Sequence, residues 1–491
     1  MQGTEGDAGV SLLLGVDLGT TETKAGLFDL QGHLLRVARC GYPIITNVGP
    51  GAAEQDPAAW WSAVCKTLQE VTTGVPSEKL AAVCIEGQGP SIVMADERGR
   101  PLHNAIVWMD TRTRGQSQEL SSSLGRAVSP FAHLPMAMWL RRHRREAYAQ
   151  TRWFLAAWDY IAFRLCGRPA ASTLAYFQPF PPGEVEAAGL PEALFPQTVQ
   201  AGRPIAGLTP EAAQETGLPA GLPVVAGTHD GIATFIGAGL VVPGRAADVN
   251  GTSGGLAMCW NTRIQQRGVF SESWIRPGEY IVGGAMCALG KCLDWAAEAI
   301  MGSQMSRKQF VQEAMRAPAG AGGLIFLPYL AGERAPIWDP EARGVFFGLT
   351  LNHRREHLAR AVLESVAFAL RHVADEVQEA GARVDEMRVC GGQAQSADWN
   401  QIKSDITGLP VAVPQVPEAA LVGAAVLAGV GAGLLPDITA GANQMVAIAA
   451  VLEPNPVHQS LYDGLFGVYR RLYPDLRDAF HQLSDVSRGW E

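Results

Sequence analysis

The chain contains no CxxC pair. Its eight cysteines are scattered, several of them inside apolar strand-like runs. That spacing excludes paired-cysteine zinc sites and dithiol redox motifs, and it predicts free thiols in a reducing compartment, the cytoplasm. Positive charge is scarce. There are 39 Lys and Arg against 48 Asp and Glu, a net charge of -9. The one basic run, Arg141-Arg142-His143-Arg144-Arg145, reads as a solvated helix face, so no nucleic-acid partner is expected. Long apolar runs are also missing. The longest uncharged stretch, Ala419 to Leu435, is rich in Gly and Ala and shorter than the ~20 residues of a membrane span. It predicts a buried helix packed closely on its neighbours, and no membrane association. The first seven residues carry no basic charge, and the apolar run after them is too short for a signal peptide. No Gly-Lys-Ser/Thr phosphate loop occurs.

A chain of 491 residues exceeds one hydrophobic core and predicts two large domains. The organising stretch is Val16-Asp17-Leu18-Gly19-Thr20-Thr21-Glu22-Thr23-Lys24. It sits between two apolar runs, as a polar turn between strands Leu12–Asp17 and Thr23–Asp29. Gly19 permits a sharp bend or close approach to a ligand. Threonine hydroxyls and backbone N–H groups can bond phosphate oxygens, and Asp17 can hold a magnesium ion directly or through water. Taken alone, the stretch also fits an ordinary hairpin.

A third strand, Leu34–Gly41, makes an antiparallel meander. Asp56-Pro57 marks a helix start, with Trp60, Trp61, Val64, Leu68 and Val71 at helical spacing. Leu80–Glu86 reads as a central strand, and Ser91–Asp96 with Pro101–Trp108 as a hairpin. Proline-punctuated residues 128–200 read as helices and loops over a core. Strand Leu222–Ala226 then runs into Gly227-Thr228-His229-Asp230-Gly231.

A second polar turn, Asp248 to Gly255, partly repeats the first, which predicts two related halves, 1–242 and 243–491, parted near Pro243-Gly244. Later signals are strands Ile281–Ala285 and Gly323–Leu327, a helix Arg355–Ala380 stopped by Gly381, and strand Met387–Cys390. That strand leads into Gly391-Gly392 and a helix starting near Ser396, a turn able to accept anions or a flat ring.

These pieces suit phosphoryl transfer, which needs backbone donors for phosphates, a divalent cation and a carboxylate to take the acceptor's proton. Asp17 is the candidate for the cation. Asp230 is the candidate general base, and it also suits a helix N-cap, two roles that are compatible. His229 has no second ligand at metal spacing. Ser253 lacks the strand-to-helix context of a nucleophile elbow.

Six motifs in order resemble the FGGY family of carbohydrate kinases, xylulokinase-like members above all. They are Asp17-Leu18-Gly19-Thr20-Thr21, Trp108-Met109-Asp110-Thr111-Arg112, Gly227 to Gly231, Asn250-Gly251-Thr252-Ser253-Gly254, Phe326 to Arg334, and Gly344 to Leu349 continuing through Glu364. The resemblance implies an α/β architecture of two ribonuclease-H-like (actin-like ATPase) domains with an active-site cleft between them. It also implies ATP, Mg2+ and transfer of the γ-phosphoryl to a ketose or polyol hydroxyl, xylulose first. In those terms Thr20, Thr21 and Lys24 meet the β/γ-phosphates, Thr252 faces them from the second domain, Gly392 and Ser396 lie at the adenosine, and Asp17 serves magnesium. Gln88, Gly89, Pro90, Trp108, Asp110, His229 and Asp230 line the sugar. Glu333 and Arg334 are expected to form an interdomain ion pair. The sequence departs from the xylulokinase pattern where Gln-Met-His is replaced by Gln88-Gly89-Pro90, closer to L-xylulose and erythritol kinases. This opens erythritol, L-xylulose or ribulose as alternatives, beside a sugar-binding regulator without catalysis and a chaperone-like ATPase. Family members are often dimers, so a homodimer is an expectation that no stretch here marks.

Overall fold

The computed structural model describes residues 11–249, 254–302 and 305–488. The chain divides into two compact units: residues 1–237 with 418–447, and residues 238–417 with 448–491.

The first unit is built on a six-stranded sheet. Its strands are β1 (Leu12–Leu18), β2 (Glu22–Phe28), β3 (Leu34–Gly41), β4 (Leu80–Gly87), β5 (Pro204–Gly207) and β6 (Pro223–Val225), in spatial order β5-β6-β4-β1-β2-β3. β1, β2 and β3 pair antiparallel, as the short polar turns between them require. β4 lies parallel to both β1 and β6. All residues of β1 are buried, which is why it reads as a continuous apolar run rather than an alternating one. The helix Pro57–Thr72 begins as expected, with the Asp56 carboxylate accepting the Ala58 N–H at 2.9 Å.

The second unit repeats this plan. Its strands are β7 (Arg245–Asp248), β8 (Gly254–Trp260), β9 (Phe270–Ser273), β10 (Tyr280–Met286), β11 (Glu386–Val389), β12 (Val411–Pro414) and β13 (Ile448–Leu452), in order β9-β10-β8-β7-β11-β12-β13. β7 pairs antiparallel with β8, and β8 with β10. On its other side β7 lies parallel to β11, and β11 to β12. Each sheet thus has a central strand with an antiparallel meander on one side and parallel strands on the other, ending in an antiparallel edge. The partial repeat seen in the two polar turns is a repeat of topology.

The structure amends four expectations. The Ser91–Trp108 hairpin pairs only at its ends, with Ile92 opposite Ile106, and belongs to a separate four-stranded sheet together with Glu54–Gln55 and Trp153–Ala156. That last strand reads as part of an irregular segment because four residues are too few to show a period. A 33-residue C-terminal helix, Pro456–Arg488, has no counterpart in the sequence reading. Finally, the chain does not divide once near residue 242. The helix Ala419–Gly431 returns to the first unit, where small residues let it pack against β1 and the helix Asp230–Gly237. A Cβ built on Gly423 would lie 2.0 Å from the Ala233 carbonyl oxygen, and one on Gly15 would lie 2.6 Å from that of Leu421. Only glycine permits such approach, and the expectation of a closely packed buried helix holds. Among the described residues no helix is long and apolar enough to cross a membrane, and all eight cysteines are free.

Candidate active site

Three strand ends of the first unit converge. In the parallel β1–β4 pair Asp17 stands in register with Glu86 and Leu18 with Gly87. The Gln88 N–H continues the ladder to the Leu18 carbonyl at 2.8 Å, and the Gly87 N–H donates to the Thr228 carbonyl at 3.2 Å. This delivers Asp17, Glu86 and the His229-Asp230 pair to one edge of the sheet. The C-terminal ends of parallel strands, where the ladder stops and loops diverge, are the usual position of α/β ligand sites.

The electrostatics of this edge are acidic. Burial lifts the Asp17 carboxyl to about 6 against the opposing pull of Lys24, and Asp230 lifts it further. Lys24 Nζ lies 3.4 Å from Asp17 Oδ2 and 3.9 Å from Glu22 Oε1. Glu86 is pushed well above the usual carboxylate range by burial and by the charges of Asp17 and Asp230. Asp230 is raised by its protein surroundings, with His229 opposing. Its side chain nevertheless keeps 39% of its surface accessible, so a ligand can reach it. Asp230 opens the helix Asp230–Gly237, and its Oδ1 accepts the Gly231 N–H at 2.7 Å. Asp230 thus stands in the first turn of the helix with its carboxylate partly accessible.

His229 is fixed from both sides. Its Nδ1 accepts the same Gly231 N–H at 2.9 Å, which leaves Nε2 to donate to the Gly89 carbonyl at 2.9 Å. Its ring centroid lies 5.4 Å from that of Phe177 and 6.2 Å from that of Trp158. A Cβ on Gly89 would sit 2.8 Å from His229 Cδ2 and 3.0 Å from Trp158 Cζ3. The small residue at position 89 is therefore matched to the bulk of Trp158. Behind this wall is buried His133, 6.1 Å from Trp158 between ring centroids. Burial lowers its imidazole to about 3, with the charge of His229 acting the same way, so it is neutral at physiological pH.

The remaining candidates form a polar chain under the β1–β2 turn. Gln88 is buried and donates to Gln55 Oε1 at 2.7 Å, and Gln55 donates to the Thr20 carbonyl at 2.7 Å. Trp108 Nε1 donates to Thr20 Oγ1 at 3.0 Å. The Thr21 side chain is exposed, open to a ligand. Asp110 is fully buried. Both its oxygens are occupied by Ala53 N–H (2.9 Å) and by the backbone and guanidinium of Arg112 (2.6–3.1 Å). Arg112 also bonds Glu54. Its place is inside this network, a commitment that a one-dimensional motif cannot display.

In the second unit, Gly392 and Ser396 border a cavity of about 440 Å³, lined also by Arg307, Lys308, Gln393 and Trp399. A Cβ on Gly392 would meet no atom within 4 Å, so the glycine faces open space. Ser396 caps the helix Ala397–Thr407. Beneath the cavity, buried Lys403 pairs with Asp248 at 2.7 Å, bonds Gln393 Oε1 at 2.5 Å and lies 4.0 Å over the Trp399 ring. This ties the cavity floor to the end of β7. Thr252 lies outside the described residues. Glu333 Oε1 accepts backbone N–H groups of Cys287 and Arg334, both at 2.8 Å, and Arg334 donates to the Met286 carbonyl. These contacts within the second unit are their described partners.

Sequence reasoning missed Glu86, Gln55, Trp158, Phe177, His133 and Lys403. Glu86 had one signal, a charged residue closing an otherwise apolar strand beside another strand that ends in Asp17. The aromatics had none, because they read as core.

The model of the N-terminal domain of the FGGY family of carbohydrate kinases matches residues 12–237, and that of its C-terminal domain matches residues 246–432. The chain belongs to the FGGY family. It is a carbohydrate kinase with the family's two-domain actin-like ATPase fold. Among curated relatives, a gluconokinase and a xylulose kinase of Bacillus subtilis are each 28% identical; the alignments cover 98% and 97% of this chain and 99% of each relative. The crystal structure of a gluconate kinase from Lactobacillus acidophilus superposes with a TM-score of 0.84 at 26% identity, over 96% of this chain and all of that one. FGGY kinases phosphorylate sugars with ATP, which gives this chain its class of substrate and phosphoryl donor.

Proposed function

We propose that this FGGY kinase transfers the γ-phosphoryl of ATP to a hydroxyl of a neutral ketose, with xylulose first and L-xylulose, ribulose or erythritol next. The carrying observation is Asp230. It is accessible, fixed through its Gly231 contact beside an oriented His229, and placed with Asp17 at one sheet edge. Asp230 takes the proton from the attacking hydroxyl as the oxygen–phosphorus bond forms and the bond to ADP breaks. The Gly231 N–H, shared by His229 Nδ1 and Asp230 Oδ1, fixes the two side chains relative to each other, and His229 closes the wall with Trp158 and Phe177. Thr20, Thr21 and Lys24 bind the β/γ-phosphates, a role that Thr252 shares. Adenosine occupies the cavity at Gly392 and Ser396. Asp17 would hold Mg2+, which would supply neutralisation of the phosphate charge. The free thiols fit a cytoplasmic enzyme, and a homodimer is carried over from the family's habit.

Gluconate is the second reading, because relatives of both names are equally similar. Charge separates the two. The carboxylates at this edge are Asp17 and Asp230, with Lys24 shared between Asp17 and Glu22, while Trp158, Phe177 and neutral His133 form the wall. An aldonate carboxylate entering there meets like charge, which costs affinity. In an ADP-release assay with ATP and Mg2+, a neutral ketose or polyol is expected to exceed gluconate by at least ~10-fold in kcat/KM. Gluconate as the best substrate reverses the reading. Silence across ketoses, polyols and gluconate, with ATP still bound, favours the regulator.

Position 89 supplies a second prediction. Gly89→Ala forces its methyl against His229 and Trp158, so His229 must shift and Asp230 with it. Because a displacement of about 1 Å can cost ~10²-fold, we expect kcat to fall at least ~10-fold while ATP affinity, measured by fluorescent-nucleotide titration, stays within about 2-fold. An unchanged kcat would show that this contact does not orient the base.

A further inference from the structure

Glu86 has no role in the reaction as described. In-register residues of adjacent parallel strands project from the same face of a sheet, so Glu86 stands beside Asp17. It is fully buried, and no amide, hydroxyl or cationic group bonds either carboxylate oxygen; the side chain it meets is the carboxyl of Asp17. An ionised carboxylate is not kept in that condition without a counter-charge. The surrounding charges do not supply one: Asp17 and Asp230 are acidic, and among the described residues the cation acting on Glu86 is Lys24, which is already shared by Asp17 and Glu22. Thr228 Oγ1, on the segment bonded to Gly87, is a second buried polar atom without a partner.

Three carboxylates against one ammonium leave a deficit that a divalent cation fills. Among the described residues no three His, Cys, Asp or Glu form an all-protein cage. That is consistent with Mg2+, which takes one or two carboxylates and completes its shell with water and substrate phosphates. We propose that Glu86 is the second carboxylate of the divalent-cation site, sharing with Asp17 the cation that accompanies ATP. The proposal rests on the kinase reading above.

Mn2+ with ADP is the probe, with free Mn2+ read by electron paramagnetic resonance and folding checked by thermal melts. Glu86→Gln keeps the side-chain volume and removes the charge. It is expected to weaken Mn2+ binding ~10–100-fold, while ADP affinity in EDTA stays within about 2-fold. Glu86→Asp, which keeps the charge but withdraws it by one methylene, is expected to fall between and serves if the Gln variant does not fold. Mn2+ affinity unchanged in both variants, while Asp17→Asn loses it, overturns the role of Glu86 and leaves the cation site intact. A raised sugar KM with unchanged Mn2+ binding also overturns it, assigning Glu86 to the sugar. Wild-type protein that binds neither ADP nor Mn2+ overturns the kinase reading and this proposal together.

Discussion

Asp230→Asn is expected to lose about 10²–10⁴ in kcat, the worth of a positioned general base, while ATP affinity and melting temperature stay near wild type. The amide is isosteric and can still accept the Gly231 N–H, so the loop and His229 should hold their places. What disappears is the capacity to take a proton. The loss should therefore fall on kcat, with little change in sugar KM. Steady-state kinetics with the best panel substrate, beside fluorescent-nucleotide titration, separate the two. A wild-type kcat in this variant moves the base elsewhere. The pH profile adds a test with a definite sign. Protein surroundings raise the Asp230 carboxyl above the usual range, and only the deprotonated form accepts a proton. Activity should thus rise with pH along an acid limb lying above the normal aspartate value, and Asp230→Asn should flatten that limb.

Asp17→Asn is expected to abolish measurable turnover and to stabilise the protein. The Asp17 carboxyl stands at about 6 in the folded chain against 3.8 unperturbed. A carboxyl raised on folding favours the folded state when protonated. The favourable contribution is complete below about pH 4 and is lost as pH rises through 6. Above that, wild type carries a penalty on the order of 2–3 kcal/mol, which the amide avoids. The variant should melt roughly 5 °C higher than wild type at pH 8, with the gap closing toward pH 4. Thermal melts across that range decide it. A variant less stable at both ends would mean that the Lys24 pair outweighs burial, so that the acidic edge is not a source of strain.

Much of the frame was legible in the sequence because it is written in local chemistry. The β1–β3 meander follows from apolar runs joined by short polar turns, the start of the helix Pro57–Thr72 from Asp56-Pro57, and the helix Arg355–Glu379 from its periodicity. The two related halves follow from two similar polar turns. What escaped depends on contacts across the fold. Glu86 becomes part of an acidic edge only through its register with Asp17. Trp158 and His133 leave no sign of their position, since a buried aromatic at a wall and one in a core read alike. The bonds that Arg112 and Ala53 make to both oxygens of Asp110 are likewise invisible in the linear motif. The helix Ala419–Gly431 announces burial by its composition, but not the sheet on which it is buried.

That helix sets a schedule for synthesis. The strand it backs, β1, leaves the ribosome about 400 residues ahead of it, and the surface of Leu421, Ala424 and Ala425 that fits Gly15 arrives about 180 residues after the helix Asp230–Gly237. At ~5–20 residues per second, the first unit waits roughly 10–40 s with a face of its sheet uncovered while the second unit's strands emerge. A nascent chain of this kind is a natural client for chaperones that shield apolar surface. Truncation after residue 242 would freeze it in that unfinished state.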